Sequence, residues 1–210
     1  MQDDSGIKRI FTFSWAYTLF QNLVGATRGA RWVSETFWRA QPGQKIVDIG
    51  CGPGNTVHLL PAGVHYVGFD VSKKYIGHAQ EKFASDPNKT FIVGVAEDFL
   101  ADPPAPMLDA DLVIINGLLH HLDDDEALTA LRLARAALAP GGRMVCLEAC
   151  FLIRQAALAH WVLKQDRGRN VRSEQEWKAL LAQVFETCET SILTGLLHIP
   201  YTHIVIEARR

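Results

Sequence analysis

Cysteine is scarce: four in 210 residues, at positions 51, 146, 150 and 188. No two stand as a C-x-x-C pair, so neither a disulfide scaffold nor a zinc site is indicated, and a reducing, cytoplasmic setting is expected. No run of 18 uninterrupted apolar residues occurs, so no membrane span is predicted. The apolar run 10–20 is broken by Thr12, Ser14 and Thr18 and lacks the small-residue cleavage site of a signal peptide. Excess charge of one sign is missing too: 21 basic residues face 23 acidic ones, for a net charge of −2. With no basic stripe and no interleaved aromatics, nucleic acid is not an expected partner. Internal repeats, low-complexity tracts and linkers are absent. What remains is 48% hydrophobic and 21% charged, the balance of a globular domain, and it is long enough for one core.

The pattern along the chain alternates. Residues 11–39 mix aromatic and small side chains and predict one or two helices. Strands are predicted at 45–49, at 65–69 running to Asp70, at 90–95, at 111–115 and at 143–148. Between them Ser72 starts a helix to about Phe83, and an Asp123/Glu126 capping box starts another that Pro140-Gly141-Gly142 stops. A Ser173/Glu176 box opens a helix to about Phe185, and strands follow at about 187–193 and 203–208. Strands alternating with helices predict an α/β fold on a mainly parallel sheet.

In such a sheet, ligands bind beyond the carboxyl ends of the strands. The first strand runs into Asp48-Ile49-Gly50-Cys51-Gly52-Pro53-Gly54, where glycines let the backbone turn and approach a ligand closely. A dinucleotide fingerprint needs a third glycine at position 55, which is Asn. A pyrophosphate would also lie close to the Asp48 carboxylate. A ligand with an ammonium group and no phosphate fits better; a plain strand-to-helix turn is the bland alternative. Asp70 ends the second strand 20 residues after Gly50, the spacing at which a carboxylate accepts from ribose hydroxyls.

Taken together, Val47–Gly54, Gly68-Phe69-Asp70-Val71-Ser72, Val95-Ala96-Glu97-Asp98, Asn116-Gly117-Leu118-Leu119-His120-His121-Leu122 and Leu138-Ala139-Pro140-Gly141-Gly142-Arg143 resemble the class I S-adenosylmethionine (SAM)-dependent methyltransferases, in particular small-molecule enzymes of the ubiquinone and menaquinone type. The resemblance covers about 44–148. It implies a Rossmann-like sheet of seven strands, the last antiparallel, with helices on both faces. It implies that Asp48 and the loop residues Gly50, Cys51, Gly52 and Gly54 hold the methionine part of SAM. Asp70 would take the ribose, Val71 and Ala96 would flank the adenine, Glu97 or its neighbour would lie near the adenine amino group, and Asn116 would lie by the methionine end. One domain over 1–210 is expected: helical cover 1–43, SAM-binding core 44–148, substrate cover 149–172, and a C-terminal helix and strand pair 173–210.

The acceptor side is less constrained. His120 and His121 follow the fourth strand at the ligand end of the sheet. Either is a candidate general base, or one caps the loop while the other packs. Glu148, ending the fifth strand, either holds a substrate polar group or is a solvated strand end. The apolar segment 151–165 is a substrate cover or a core helix. The charge run Asp166, Arg167, Arg169 and Arg172 is a solvated face, unless Arg167 or Arg169 holds a substrate anion. The aromatics Trp15, Tyr17 and Phe20 close over the methyl group or pack in the core. Asn116-Gly117-Leu118-Leu119 lacks the Asn-Pro-Pro-Tyr pattern of DNA amino-methylating enzymes. A small-molecule acceptor is therefore expected, with a non-catalytic SAM-binding subunit or a nicotinamide-dependent reductase as alternatives.

Overall fold

The computed structural model describes residues 26–165, 168 and 170–210. Among the described residues eight strands form one sheet: β1 (Lys45–Ile49), β2 (His65–Asp70), β3 (Lys89–Val93), β4 (Ala110–Asn116), β5 (Leu138–Phe151), β6 (Arg172–Ser173), β7 (Cys188–Thr194) and β8 (Thr202–Arg209). Their order is β3-β2-β1-β4-β5-β8-β7, with the two-residue β6 pairing β5 off this path. Strands β1 to β5 pair in parallel, and β8 runs antiparallel to both β5 and β7. The chain steps outward from β1 through β2 to β3, then returns to lay β4 on the other side of β1. That reversal leaves a crevice above β1 and β4, where open α/β sheets bind ligands.

Among the described residues six helices cover the sheet: α1 (Ala26–Val33), α2 (Lys73–Lys82), α3 (Ala96–Ala101), α4 (Asp124–Ala137), α5 (Ala157–Lys164) and α6 (Glu174–Leu181). Successive strand side chains point to opposite faces, and this splits the core in two. Val47, Ile49, Val113, Ile115 and Cys146 pack with α4 and α6, whereas Ile46, Leu112, Ile114, Val145 and Val205 pack with α1 and α2. Helix α4 buries Ala127, Leu128, Ala130, Leu131, Leu133, Ala134 and Ala137 on one face. Each leucine so buried stabilises the fold by about 1.5–3 kcal/mol.

Local signals set most boundaries. Ser72 Oγ accepts from the Tyr75 amide, and both expected capping boxes form, at Asp123/Glu126 and Ser173/Glu176. The differences have non-local causes. The third strand ends at Val93 rather than 95, because the Gly94 amide turns to the Asp70 carbonyl and Val95 leads into α3. Pro140-Gly141-Gly142 does not separate helix from strand. Strand β5 starts at Leu138, and the glycines absorb a register shift against β4 between Ala110 and Leu112, with Gly141 at φ +80°. The sheet also has one more strand than the seven expected, because Arg172–Ser173 adds to the end of β5. Helix α6 stops at Leu181, and Val184 and Phe185 follow in turns whose amides reach the Leu181 carbonyl.

Candidate active site

A cavity of about 430 Å³ opens at the carboxyl ends of β1 and β2. Gly50, Asp70, Val71, Ala96 and Glu97, five of the residues expected at the cofactor, line it together. The Gly50 and Cys51 amides both donate to the Phe69 carbonyl, pulling the loop over β2. Gly50 has φ +74°, and a Cβ there would come within 2.8 Å of the Leu118 side chain. Only glycine allows both the turn and that approach. Asp70 is tied on each side, accepting from the Gly52 amide at 3.0 Å and the Ser72 amide at 2.8 Å. Each carboxylate oxygen retains a further lone pair for a ligand donor. Val71 and Val95 are exposed on this rim, offering apolar walls to a flat ring. Glu97 is exposed in the first turn of α3, and Asn116 is exposed at the end of β4, off the cavity wall.

The wall also includes Leu118, Leu122, Asp125 and Thr129, which were missed. They belong to the β4–α4 loop and α4. The capping box was the available signal that this helix starts at the rim.

Asp48 does not line the cavity. It is buried beneath the glycine loop, accepting from the Tyr66 hydroxyl at 2.7 Å. Burial pushes its carboxyl up to about 6; hydrogen bonds from Tyr66 and Thr56 oppose the shift, and the nearby negative Asp70 adds to it. Cys51 is buried as well, and burial with the Asp48 and Asp70 charges holds its thiol protonated. Cys51 therefore contributes backbone to the loop and no nucleophile.

The expectation for Glu148 is corrected. It is neither a solvated strand end nor open to a substrate: it is 1% exposed, and the chain itself uses both oxygens. Oε1 accepts from the Leu118 and Leu119 amides at 3.0 and 2.8 Å. Oε2 accepts from the His120 amide at 3.3 Å and lies 2.5 Å from His120 Nδ1. An ionised carboxylate has no proton to donate, so Nδ1 carries it. His120 is 7% exposed, while His121 is exposed, with its ring 4.1 Å from that of His120. The two histidines thus divide into a held ring and a solvent-facing one.

Gly168 and Asn170 close over His120. The Asn170 amide donates to the His120 carbonyl, and Gly168 packs so near the imidazole that a Cβ would overlap it. Arg172, expected on a solvated face, is buried instead. Its guanidinium donates to Asp124 at 2.7 and 2.9 Å and to the carbonyls of Leu119, Leu122 and Asn170, and it stacks 4.8 Å from the Trp177 ring. It fastens this segment to the β4–α4 loop. Arg172→Met should lower the unfolding free energy by about 1.5–3 kcal/mol, the scale of hydrogen bonds to a charged group, as measured by urea denaturation.

Segment 151–165 is less packed than a core helix would be. Helix α5 buries Ala159 and Leu163, but Ile153, Leu158 and Trp161 are 89%, 60% and 58% exposed. Trp15, Tyr17, Phe20, Asp166, Arg167 and Arg169 lie outside the described residues. Among the described residues there is no cluster of metal-ligating side chains and no helix long and apolar enough to cross a membrane.

The comparisons fit this geometry. Residues 47–144 match the family described as Methyltransferase domain. That match covers a little under half of the chain, and over it the chain is similar to methyltransferases. An uncharacterized methyltransferase of Synechocystis sp. is 30% identical over 140 residues, 63% of this chain and 61% of the relative. Trans-aconitate 2-methyltransferase of Paracidovorax citrulli is 36% identical over 100 residues, 46% of this chain and 35% of the relative. The chain therefore spans less than two thirds of the length of either. Among solved structures, the pyocyanin biosynthetic protein PhzM superposes with a TM-score of 0.71 at 19% identity, covering 94% of this chain and 58% of that one. The mitomycin 7-O-methyltransferase MmcR gives 0.66 at 24%, covering 87% and 53%. These two likenesses concern the fold.

SAM is the cofactor of this family, and the residues present suit it. Asp70 beside an open cavity suits a ribose diol, the apolar walls suit an adenine, and the loop above the buried Asp48 carboxyl suits the ammonium of an amino acid end. Asp70→Ala should weaken binding of S-adenosylhomocysteine by about 1.5–3 kcal/mol. Two loop amides lose their acceptor along with the ligand, so calorimetry should place the loss at the upper end of that range.

Proposed function

We propose that the protein transfers the methyl group of SAM to a hydroxyl of a small molecule, with His120 as general base. The observation that carries this reading is the buried 2.5 Å contact between His120 Nδ1 and Glu148 Oε2 beside the cofactor cavity. Bound there, SAM supplies a methyl group already activated by its sulfonium. What the chain adds is alignment and proton handling. The 50–54 loop, Asp48 beneath it, Asp70, Val71, Ala96, Glu97 and Asn116 hold the donor. Glu148 fixes the β4–α4 loop through three amides and fixes the tautomer of His120 through Nδ1. Nε2 is then the nitrogen that would accept the proton of the acceptor's hydroxyl. Positioned proton transfer of this kind contributes about 10²–10⁴ in rate, and in-line alignment contributes more.

Segments 1–43 and 149–172 cover the acceptor in this reading, and the exposed side chains of Leu158 and Trp161 support an apolar cover. Tyr17, Arg167 and Arg169 remain candidates for acceptor contacts within it. The four thiols, all free, support a reducing compartment. Incubation with SAM and a panel of phenols and hydroxy acids should form S-adenosylhomocysteine with a hydroxyl acceptor and not with its methoxy counterpart. Tight cofactor binding with no turnover on any acceptor would instead favour a non-catalytic SAM-binding subunit.

A further inference from the structure

A second cavity, of about 450 Å³, lies between α1 and the end of β7, lined by Arg28, Gly29 and Trp32 on one side and by residues 192–196 and His198 on the other. Its position follows from strand alternation. Ile46, Leu112, Ile114, Val145, Leu147, Val205 and Leu193 all pack on the α1 face of the sheet. By the two-residue period, Asp48, Asn116, Ala149 and His203 share that face at the carboxyl rim. Ala149 pairs with His203, and His203 pairs with Leu193. In the strand order, this rim passes from the donor end at β4 over β5 and β8 to the second cavity at β7. The distance is three strand spacings, about 14 Å.

The cavity walls are preformed. Gly29 is buried against the β7–β8 turn, where a Cβ would come within 2.7 Å of the Leu196 carbonyl oxygen, so the helix cannot be moved closer or replaced by a bulkier contact. Trp32 is held edge-on by Phe37, with centroids 5.7 Å apart, yet remains 45% exposed. Leu193 and Leu196 supply apolar surface opposite it. Among the described residues Arg28 has no carboxylate partner and no acidic residue lines the cavity. A guanidinium beside an indole and leucines complements a flat apolar group that ends in a carboxylate.

We propose that this cavity binds the anionic, aromatic end of the methyl acceptor, with Arg28 taking its carboxylate and Trp32 its ring. The proposal rests on the methyltransferase reading and adds a substrate class: aryl carboxylates long enough to reach from β7 to the reacting centre.

The test uses the full chain saturated with S-adenosylhomocysteine and two isosteric probes, biphenyl-4-carboxylate and neutral biphenyl-4-carboxamide, titrated by calorimetry. The carboxylate should bind at least tenfold more tightly than the amide. Arg28→Gln should abolish that preference, and Trp32→Ala should weaken both probes, while the affinity for S-adenosylhomocysteine stays unchanged in each variant. Arg28 is exposed and makes no ion pair among the described residues, so its variant should unfold at the wild-type temperature. Absence of saturable carboxylate binding, including the case in which residues 1–25 fill the cavity, would overturn the proposal, as would a preference that survives Arg28→Gln. Failure of S-adenosylhomocysteine itself to bind would strike the functional reading and is scored separately in the same titrations.

Discussion

His120→Asn should lower kcat for a hydroxyl acceptor by about 10²–10⁴ while leaving the affinity for S-adenosylhomocysteine within about twofold. Asparagine keeps a donor for Glu148, so the buried carboxylate is not left unpaired and the β4–α4 loop retains its three amide bonds to Glu148. What is lost is the second ring nitrogen, the group that accepts the proton in the proposed mechanism. A structural role alone would appear as a loss of stability and cofactor affinity together. A catalytic role appears as a loss of kcat that is partly relieved at high pH, where the acceptor ionises in solution. Steady-state rates over a pH series decide between them. A variant that keeps full kcat would remove His120 from the mechanism.

Asp48→Asn should make the protein more stable and a poorer binder of its cofactor. The Asp48 carboxyl is raised to about 6 from 3.8 by burial. Between those values the folded state holds a proton that the unfolded chain has lost. The favourable contribution of the protonated group is therefore fully present below about pH 4 and falls away as pH rises to about 6. Above that, the buried anion costs on the order of 3 kcal/mol. Asparagine has the same shape, still accepts from the Tyr66 hydroxyl and carries no charge. Urea unfolding of the variant should show a gain of that order at neutral pH and little difference from wild type near pH 4. In exchange, the variant should bind S-adenosylhomocysteine about 1.5–3 kcal/mol more weakly, because no carboxylate then lies under the loop for the ligand's ammonium. A variant less stable than wild type at neutral pH would contradict this account of the buried charge.

These two residues also mark where sequence reading stops. Ser72, Asp123/Glu126 and Ser173/Glu176 were legible because a cap and its partner lie three residues apart, within one turn of helix. The glycine loop and Asp70 were legible because a strand end, a turn and a following acid are local features of fixed length. The pairs that define the chemistry are not local. His120 and Glu148 are 28 positions apart, Tyr66 and Asp48 are 18 apart, and Arg172 and Asp124 are 48 apart. Asp48 and His120 stood in legible motifs, but none of these partnerships was visible along the chain. In isolation, Glu148 reads as a strand end and Arg172 as a solvated charge, because burial and partnership depend on which loops meet over the rim. The extension of β5 through Pro140-Gly141-Gly142 was hidden for the same reason: a bulge is defined by the register of the neighbouring strand.

Asp48 and Glu148 share a second property. Both are buried carboxylates at strand ends, costly to the fold and placed where the chain turns toward the crevice. Glu148 offsets its burial with three amides and an imidazole. Asp48 has fewer donors, and its raised protonation range records the remaining cost. The cofactor's positive charge is what would balance it.

The most direct test of the account is a calorimetric titration of the wild-type chain and Asp70→Ala with S-adenosylhomocysteine. A site built as described predicts saturable one-to-one binding in the micromolar range, about −8 kcal/mol, and weaker binding in the variant. No heat and no thermal stabilisation with wild type, or equal affinity in both proteins, would contradict the assignment of the cavity above β1 and β2 as the cofactor site.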